Sequence, residues 1–217
     1  MILSKRFLLF SLSLLLIQFA SAQDPTRFAD EIKPFLEESG KKHQGAIVFT
    51  GSSSVRFWKS LAEDFPDKQV INRGFGGSQM SDLIHYHADL IVKYQPKQVF
   101  IYEGDNDVSA GKSTREIMKD TRTLVKKLRK AMPNTPIVFI SPKPSVARWN
   151  LKSQYEETNA TMAAYCQKKS FLTFVDVWKP MLDESGAVRK DIFVEDNLHM
   201  NAAGYDIWAQ VIGPYLL

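Results

Sequence analysis

The apolar residues of the chain form two kinds of pattern, short continuous runs and longer periodic segments. Five short runs are apolar at nearly every position, and each stops at a glycine or a polar residue. Runs of this kind predict strands that are buried on both faces, as in a parallel sheet covered by helices. The five predicted strands are 46–49, 70–71, 98–102, 137–140 and 172–175.

Amphipathic segments lie between these runs and predict helices. In the segment 81–94, for example, Leu83 and Leu90 fall on one helical face. Ser113 stands before the segment 114–132 as a possible helix cap. The alternation of strand and helix predicts an α/β fold, a three-layer α/β/α sandwich around a five-stranded parallel sheet in a flavodoxin-like arrangement. The other predicted helices are roughly 25–39, one that begins at 55, 152–169 and 201–215.

The first 22 residues have the pattern of a targeting segment. Two basic residues precede an apolar stretch at 7–20. The small residues 20–22 lie at its carboxyl-terminal end. This order predicts a secretory signal peptide that is cleaved before Gln23. The stretch has 14 residues, whereas about 20 are needed to span a bilayer. We therefore expect a secreted or periplasmic protein with one mature domain at 23–217 and no integral membrane span.

Charge and cysteine content narrow the function classes. The 28 basic and 24 acidic residues give a formal net charge of +4, and no long basic run concentrates it. The sequence therefore predicts no nucleic-acid partner. The single cysteine, Cys166, excludes an internal disulfide. It lies in a predicted helix, where we expect a small core residue.

Residues with catalytic potential follow the first three predicted strands, at the edge where open α/β sheets bind ligands. The segment 51–54 places serines at a strand-to-helix turn, where developing negative charge is favoured. Taken alone, a turn with a helix cap is the better explanation, because serine is a common cap residue. The glycine-rich segment 72–78 brings N–H groups close to a ligand or forms a flexible turn. In the segment 103–107, Asn106 has an amide that can donate to an oxyanion or simply occupy a polar turn.

A carboxylate and a histidine stand three residues apart before the last predicted helix. Asp196 can hold the imidazole of His199 in one tautomer and stabilise its protonated form, but an exposed turn is the simpler explanation for the pair alone. Asp105 and Asp107, together with Asp196, also suggest a hard cation, but the spacing of a calcium-binding loop is missing. We expect neither a metal nor an organic cofactor.

Taken together, and in this order, the four segments resemble the conserved blocks of the SGNH hydrolases, the GDSL-type lipase/esterase superfamily. The resemblance covers nearly all of the predicted mature domain. It implies that Ser53 is the nucleophile and that Asp196 and His199 complete a catalytic triad. It also implies an oxyanion hole made by the N–H groups of Ser53 and Gly77 and the side-chain amide of Asn106.

The block around the nucleophile departs from the family pattern. The sequence Gly51-Ser52-Ser53-Ser54 stands where the family usually has Gly-Asp-Ser-Leu, so that the two flanking serines are alternative nucleophiles. Met200 follows the histidine where the family often has proline, a change we expect to alter only the loop.

The resemblance implies a serine esterase that hydrolyses carboxylic esters through an acyl-enzyme. Because the predicted loops are short and no apolar lid segment is visible, we expect short acyl groups, on an acetylated carbohydrate or a lysolipid-like ester. A non-catalytic carbohydrate- or lipid-binding module on the same fold is the alternative. Aromatic residues at a helix start are more often part of the core than of a binding site. The candidates for lining the substrate pocket are nevertheless Arg56, Phe57, Trp58, Arg148 and Trp149.

Overall fold

The computed structural model describes residues 24–217, so the predicted signal peptide lies outside the described residues. Within them, five strands form one sheet in which every neighbouring pair is parallel. The strands are β1 (Ile47–Gly51), β2 (Val70–Gly74), β3 (Gln98–Tyr102), β4 (Ile137–Ile140) and β5 (Leu172–Val175).

The order of the strands in space is β2-β1-β3-β4-β5. This is the flavodoxin-like order, and it confirms the predicted fold class. Gly51 at the end of β1 pairs in register with Gly74 of β2 and with Tyr102 of β3. The carboxyl ends of these three strands therefore lie side by side, and the segments that follow them begin at one edge of the sheet.

Helices cover both faces of the sheet, which explains the continuous apolar runs. Val48 and Ile101 point into one core layer, whereas Phe49 and Phe100 point into the other and stack with their ring centres 4.5 Å apart. A strand that is buried on both faces needs apolar side chains on each face, so apolar and polar residues do not alternate along its sequence. The helices are α1 (Ala29–Glu37), α2 (Ser53–Arg56), α3 (Leu61–Asp64), α4 (Met80–Leu90), α5 (Asp105–Ser109), α6 (Thr114–Ala131), α7 (Lys152–Gln167) and α8 (Ala202–Ile212).

The structure differs from the sequence predictions in four places near the strand ends. Helix α2 begins at Ser53, two residues earlier than predicted, and β2 continues to Gly74. Asn106 lies in the first turn of α5 and not in a polar turn. The connection between β5 and α8 spans 176–201, so this loop is long, contrary to the expected short loops.

Two further expectations concern the core and the membrane. Cys166 is buried and free, as expected, and burial raises the pKa of its thiol to about 12. None of the helices within residues 24–217 combines the length and apolarity that crossing a membrane requires.

Candidate active site

Three side chains from opposite ends of the chain meet at the carboxyl edge of the sheet. The Oγ of Ser53 lies 2.9 Å from Nε2 of His199. The Nδ1 of the same ring lies 2.5 Å from Oδ2 of Asp196. Ser53 stands two residues after the end of β1, and the other two residues come from the long connection before α8. The structure thus brings together the three residues that the sequence resemblance selected.

The two serines that flank Ser53 have other positions. Ser52 and Ser54 are buried, with 2% and 3% of their surface exposed, whereas Ser53 is partly exposed. The N–H of Ser52 donates to the carbonyl of Tyr102, and the carbonyl of Ser54 accepts from the hydroxyl of Tyr205. Of the three serines, Ser53 is the one that hydrogen-bonds the histidine.

Hydrogen bonds hold the carboxylate of Asp196 in its charged form. Its Oδ1 accepts from the backbone N–H groups of Leu198 and His199, each at 2.8 Å. Burial opposes ionisation, but these bonds and the one from the His199 ring outweigh it and lower the pKa of Asp196 to about 2. An ionised carboxylate only accepts, so Nδ1 of the ring must carry a proton. In the neutral ring, Nε2 is then free to accept the proton of the Ser53 hydroxyl.

The histidine loop is fixed by backbone and aromatic contacts. The N–H of Val194 donates to the carbonyl of His199, and Met200, in the position where the family often has proline, is buried and bridges to Phe193. The ring of Phe57 stands edge-on to the imidazole, with the ring centres 5.0 Å apart. Because Phe57 is 38% exposed, it forms part of the surface beside the histidine.

Three candidate oxyanion donors come from the ends of β1, β2 and β3. Among the described residues, the N–H groups of Ser53 and Gly77 have no hydrogen-bond acceptor. A Cβ built on Gly77 would lie 3.8 Å from Nδ2 of Asn106, so the glycine and the amide are neighbours. Nδ2 donates to the carbonyl of Ser78 at 2.9 Å. A primary amide has two N–H donors, and the second remains for an oxyanion.

Asp105, a potential cation ligand in the sequence, is surrounded by donors of the protein. It is buried and accepts hydrogen bonds from the hydroxyls of Tyr102 and Tyr155, at 2.7 and 2.5 Å. Burial opposes ionisation, but the charges of Lys143 and Arg148 and these hydroxyls lower the pKa of Asp105 to about 2. Asp105 is therefore an ionised carboxylate at the centre of a buried hydrogen-bond network.

Asp107, the second acidic residue of this segment, joins two elements of the site. It accepts from the N–H of Met80, at the start of α4, and from Lys112 at 2.7 Å. Asp107 therefore ties the helix that carries Asn106 to the start of α4, which follows the glycine-rich turn. Within residues 24–217, no group of three or more histidine, cysteine or acidic side chains is arranged to hold a metal ion.

Sequence reasoning gave no role to Glu103, which lies behind the glycine-rich turn. It is buried, and its Oε1 accepts from the hydroxyl of Ser78 at 2.6 Å. Burial, and then the charge of Asp107, raise the pKa of Glu103 well above its ordinary value. Burial and the neighbouring charge of Asp107 therefore both favour the neutral form of the Glu103 carboxyl. Its position as the first residue after a buried strand was the available signal.

The residues considered for the substrate pocket separate into surface and core. Trp58 is 1% exposed and packs in the core, so it does not line the site. Trp149 stacks on Trp178, with ring centres 6.0 Å apart. Arg56 is exposed and pairs with Glu31 at 2.9 Å.

The triad lies at an open surface. Ser53 and His199 are partly exposed, and Asp196 and Gly77 are exposed. A cleft of about 340 Å³ lies behind α2, and neither Ser53 nor His199 is on its wall. The nucleophile is therefore accessible without entering that cleft.

Comparisons with known proteins identify the family of the chain. The model of the GDSL-like lipase/acylhydrolase family matches residues 42–207. The matched segment includes all five strands and every residue of the candidate site. None of the curated proteins compared with the chain matches it.

Solved structures of similar fold include several esterases. A GDSL-like lipase from Bacteroides thetaiotaomicron is 20% identical, with a TM-score of 0.70, over 88% of this chain and 96% of that chain. A carbohydrate esterase of family 3 from Talaromyces cellulolyticus is 17% identical, with a TM-score of 0.63, over 78% and 95%. A catalytic mutant of Axe2, an acetylxylan esterase from Geobacillus stearothermophilus, is 15% identical, with a TM-score of 0.63, over 79% and 94%. At these identities the likeness shows the fold.

Proposed function

The chain belongs to the GDSL-like lipase/acylhydrolase family, and from this premise we propose that it is an exported serine esterase that hydrolyses short-chain carboxylic esters through an acyl-enzyme. The observation that carries the proposal is the continuous hydrogen-bond chain from Ser53 through His199 to Asp196. It joins a nucleophile, a base and an orienting carboxylate, which is the arrangement that acyl transfer by a serine requires.

The first half of the reaction transfers the acyl group to the enzyme. As Oγ of Ser53 attacks the ester carbonyl carbon, its proton passes to Nε2 of His199. The charge of Asp196 stabilises the imidazolium that forms. When the tetrahedral intermediate collapses, the bond to the alcohol oxygen breaks, and the histidine gives its proton to that oxygen. The alcohol leaves, and Ser53 carries the acyl group.

In the second half a water molecule replaces the alcohol. Nε2 of His199 takes a proton from the water, whose oxygen attacks the acyl carbon. The intermediate collapses with cleavage of the bond to Oγ, and the proton returns to Ser53 as the acid leaves. Both tetrahedral intermediates carry negative charge on the former carbonyl oxygen. The N–H groups of Ser53 and Gly77 and the free N–H of Asn106 are the donors for it.

The substrate proposal follows from the surface around the nucleophile. Ser53 lies in an open position, with the exposed ring of Phe57 beside His199. An open site with one exposed aromatic ring suits a small acyl group on a bulky alcohol better than a long acyl chain that must be buried. Acetylated carbohydrate is the first class to test, since an acetylxylan esterase shares this fold. A lysolipid-like ester is the second class.

Active-site labelling tests the mechanism. An active-site-directed fluorophosphonate should attach to Ser53, as located by peptide mass mapping, and Ser53→Ala should abolish both labelling and turnover of p-nitrophenyl acetate. Ser54→Ala is the matched control, because this neighbour is buried away from the histidine, and it should still be labelled. Dialysis against a chelator beforehand should change neither result. An adduct on Ser54, or an active Ser53→Ala variant, would overturn the assignment.

A second assay separates the substrate classes and the non-catalytic alternative. Initial rates on p-nitrophenyl esters of increasing acyl length should fall beyond short chains. Release of acetate from acetylated xylan should exceed hydrolysis of a lysophospholipid. Tight binding of acetylated xylo-oligosaccharide without any acetate release would instead support a binding module.

A further inference from the structure

The side chain of Asn106 is held from behind by an arginine from a distant loop. Both terminal nitrogens of Arg148 lie 3.1 Å from Oδ1 of Asn106. Arg148 precedes α7 and stands 42 positions further along the chain, so this contact exists only in the folded protein. Guanidinium groups have no acceptor atom, and the contact therefore specifies which end of the amide is the oxygen.

The arginine itself is anchored by a buried carboxylate. Nη1 of Arg148 lies 2.6 Å from Oδ1 of Asp105, whose side chain is 5% exposed. The other oxygen of Asp105 lies 3.7 Å from Nζ of the fully buried Lys143. The guanidinium is thus positioned by an ionised carboxylate at the adjacent residue of α5 and is only 18% exposed. This arrangement leaves Arg148 little freedom to turn away from Asn106.

The orientation of the amide decides whether it can serve an oxyanion. With Oδ1 turned towards the arginine, Nδ2 faces the carbonyl of Ser78 and the neighbouring Gly77. A flipped amide would present its oxygen to the developing negative charge and repel it. A cation on the carbonyl oxygen also draws electron density from the amide and makes its N–H groups stronger donors.

We propose that Arg148, anchored by Asp105, is a positioning residue that sets the direction and the donor strength of the Asn106 amide in the oxyanion hole. The proposal rests on the proposed function, because it requires that Asn106 donates to an oxyanion. Arg148 acts through Asn106 and need not touch the substrate. Its contribution must therefore disappear when the amide is removed.

A double-mutant cycle on one activated ester tests this dependence. Asn106→Ala should lower kcat by roughly 10²–10³-fold, the usual loss of one oxyanion donor. Arg148→Met should lower kcat by at least 10-fold, which corresponds to ~1.4 kcal/mol of transition-state stabilisation. It should change KM by less than 3-fold, because the interaction stabilises the transition state and not the bound substrate. The double variant should be no slower than Asn106→Ala alone. Arg148→Lys, which keeps the positive charge but lacks the two terminal nitrogens that donate together to Asn106, should recover part of the rate lost in Arg148→Met.

Arg129→Met is the matched control for losing a guanidinium. Like Arg148, Arg129 donates to carbonyl oxygens, those of Met132 and Thr135. Its guanidinium also lies over the ring of Phe171. Arg129 comes just before β4, however, so it lies at the amino ends of the strands, away from the candidate site. Its variant should keep the wild-type kcat. Thermal unfolding of each variant establishes that the rates refer to folded protein.

The outcomes separate this proposal from the one it rests on. Wild-type rates in folded Ser53→Ala would refute the proposed function. Wild-type rates in folded Asn106→Ala would refute the donor role of Asn106, on which the positioning role of Arg148 rests. If Asn106→Ala is slow but Arg148→Met is as fast as wild type, the positioning role is wrong. The same conclusion follows if the two losses multiply in the double variant, because Arg148 would then act independently of the amide.

Discussion

At Asp196 and His199, neighbouring groups determine the chemistry of each side chain. Asp196 is 47% exposed at its side chain, yet three hydrogen bonds keep its pKa at about 2. A carboxylate of this pKa stays charged throughout the neutral range. In the proposed mechanism the proton therefore moves between Ser53 and the ring of His199, and the hydrogen bond to Asp196 fixes the direction of that ring.

Substitutions at these two residues should have unequal effects. Asp196→Asn is nearly isosteric, but the new amide can hold the imidazole of His199 in the wrong tautomer. The variant should therefore lower kcat by at least 10²-fold. The corresponding change in a well-studied serine protease lowers kcat by ~10⁴-fold. His199→Ala removes the base and should be slower still. We expect this order from kcat on one activated ester, with circular dichroism to verify the fold. Near-wild-type rates in folded His199→Ala would mean that another group is the base.

Glu103 makes the stability of the protein depend on pH. Its carboxyl accepts from the hydroxyl of Ser78, and the carboxylates of Asp107 and Asp82 lie near it, as does the ammonium of Lys112. Because burial raises its pKa in the folded state, its contribution to stability is fully present below the ordinary value of 4.5. That contribution is lost progressively as the pH rises towards the folded-state pKa.

Glu103→Gln should remove this dependence, since the amide is neutral at every pH and keeps an oxygen for Ser78. The melting temperature of the variant, relative to wild type, should rise as the pH is increased from 5 to 8. Glu157→Gln, on the exposed side of α7, is the control and should show no such trend. A constant difference between Glu103→Gln and wild type across this range would mean that the carboxyl is already ionised in the folded protein.

At the scale of elements, local pattern predicted the bounds of the strands that are apolar at nearly every position. The bounds of β3, β4 and β5 agree with the prediction, because each strand ends where its apolar run ends. Strand β2 was predicted too short, since it continues through Asn72 and Arg73. The amide of Asn72 bonds the carbonyl of Val55, and the buried guanidinium of Arg73 pairs with Glu38. These partners are distant in sequence, and no local pattern reveals them.

In the candidate site, too, contacts between residues that are distant in sequence could not be predicted from local pattern. Ser53 and His199 were selected because the order of the sequence blocks resembles a family, not because of any local property. The positions of Glu103, Lys143 and Arg148 became visible only through contacts across 25 to 55 residues. Sequence reasoning therefore found the residues that perform the proposed chemistry but missed most of those that hold them in place.

Lys143 connects the loop after β4 to the histidine loop. Its Nζ donates to the carbonyl of Leu198 at 2.7 Å, and the side chain is fully buried. Lys143→Met should lower the free energy of unfolding by about 3–5 kcal/mol, the usual cost of breaking a buried ion pair. It should also lower kcat, because the carbonyl that loses its donor immediately precedes His199. Denaturant unfolding and kcat measure the two effects.

Lys152→Met is the control for this change, since Lys152 forms an exposed pair with Glu156. It should alter stability by less than about 1 kcal/mol, as exposed pairs do, and leave kcat unchanged. If Lys143→Met loses stability but keeps the wild-type kcat, the lysine supports the fold without positioning the histidine.

At the scale of the whole molecule, the residues that follow the predicted cleavage site make contacts with the rest of the domain. Asp24 accepts from the N–H of Thr26, and the ring of Phe28 packs edge-on against Phe75, with ring centres 5.2 Å apart. Glu31 accepts from the N–H of Gly76 at 2.7 Å. The segment just after residue 23 thus supports the glycine-rich turn of the candidate site. Cleavage before Gln23 would leave all of these contacts intact.

We therefore predict that the mature protein begins at Gln23 and is exported. The peptidase reads small residues at the first and third positions before the cut, here Ala22 and Ala20, whereas Ser21 lies between them. Ala22→Arg should block cleavage, and Ser21→Arg, which adds the same charge one position earlier, should permit it. N-terminal sequencing and intact mass of protein from the exported and cell-associated fractions distinguish these outcomes. Active protein that retains residues 1–22 in the cytoplasm would show that export is wrong while leaving the esterase proposal intact.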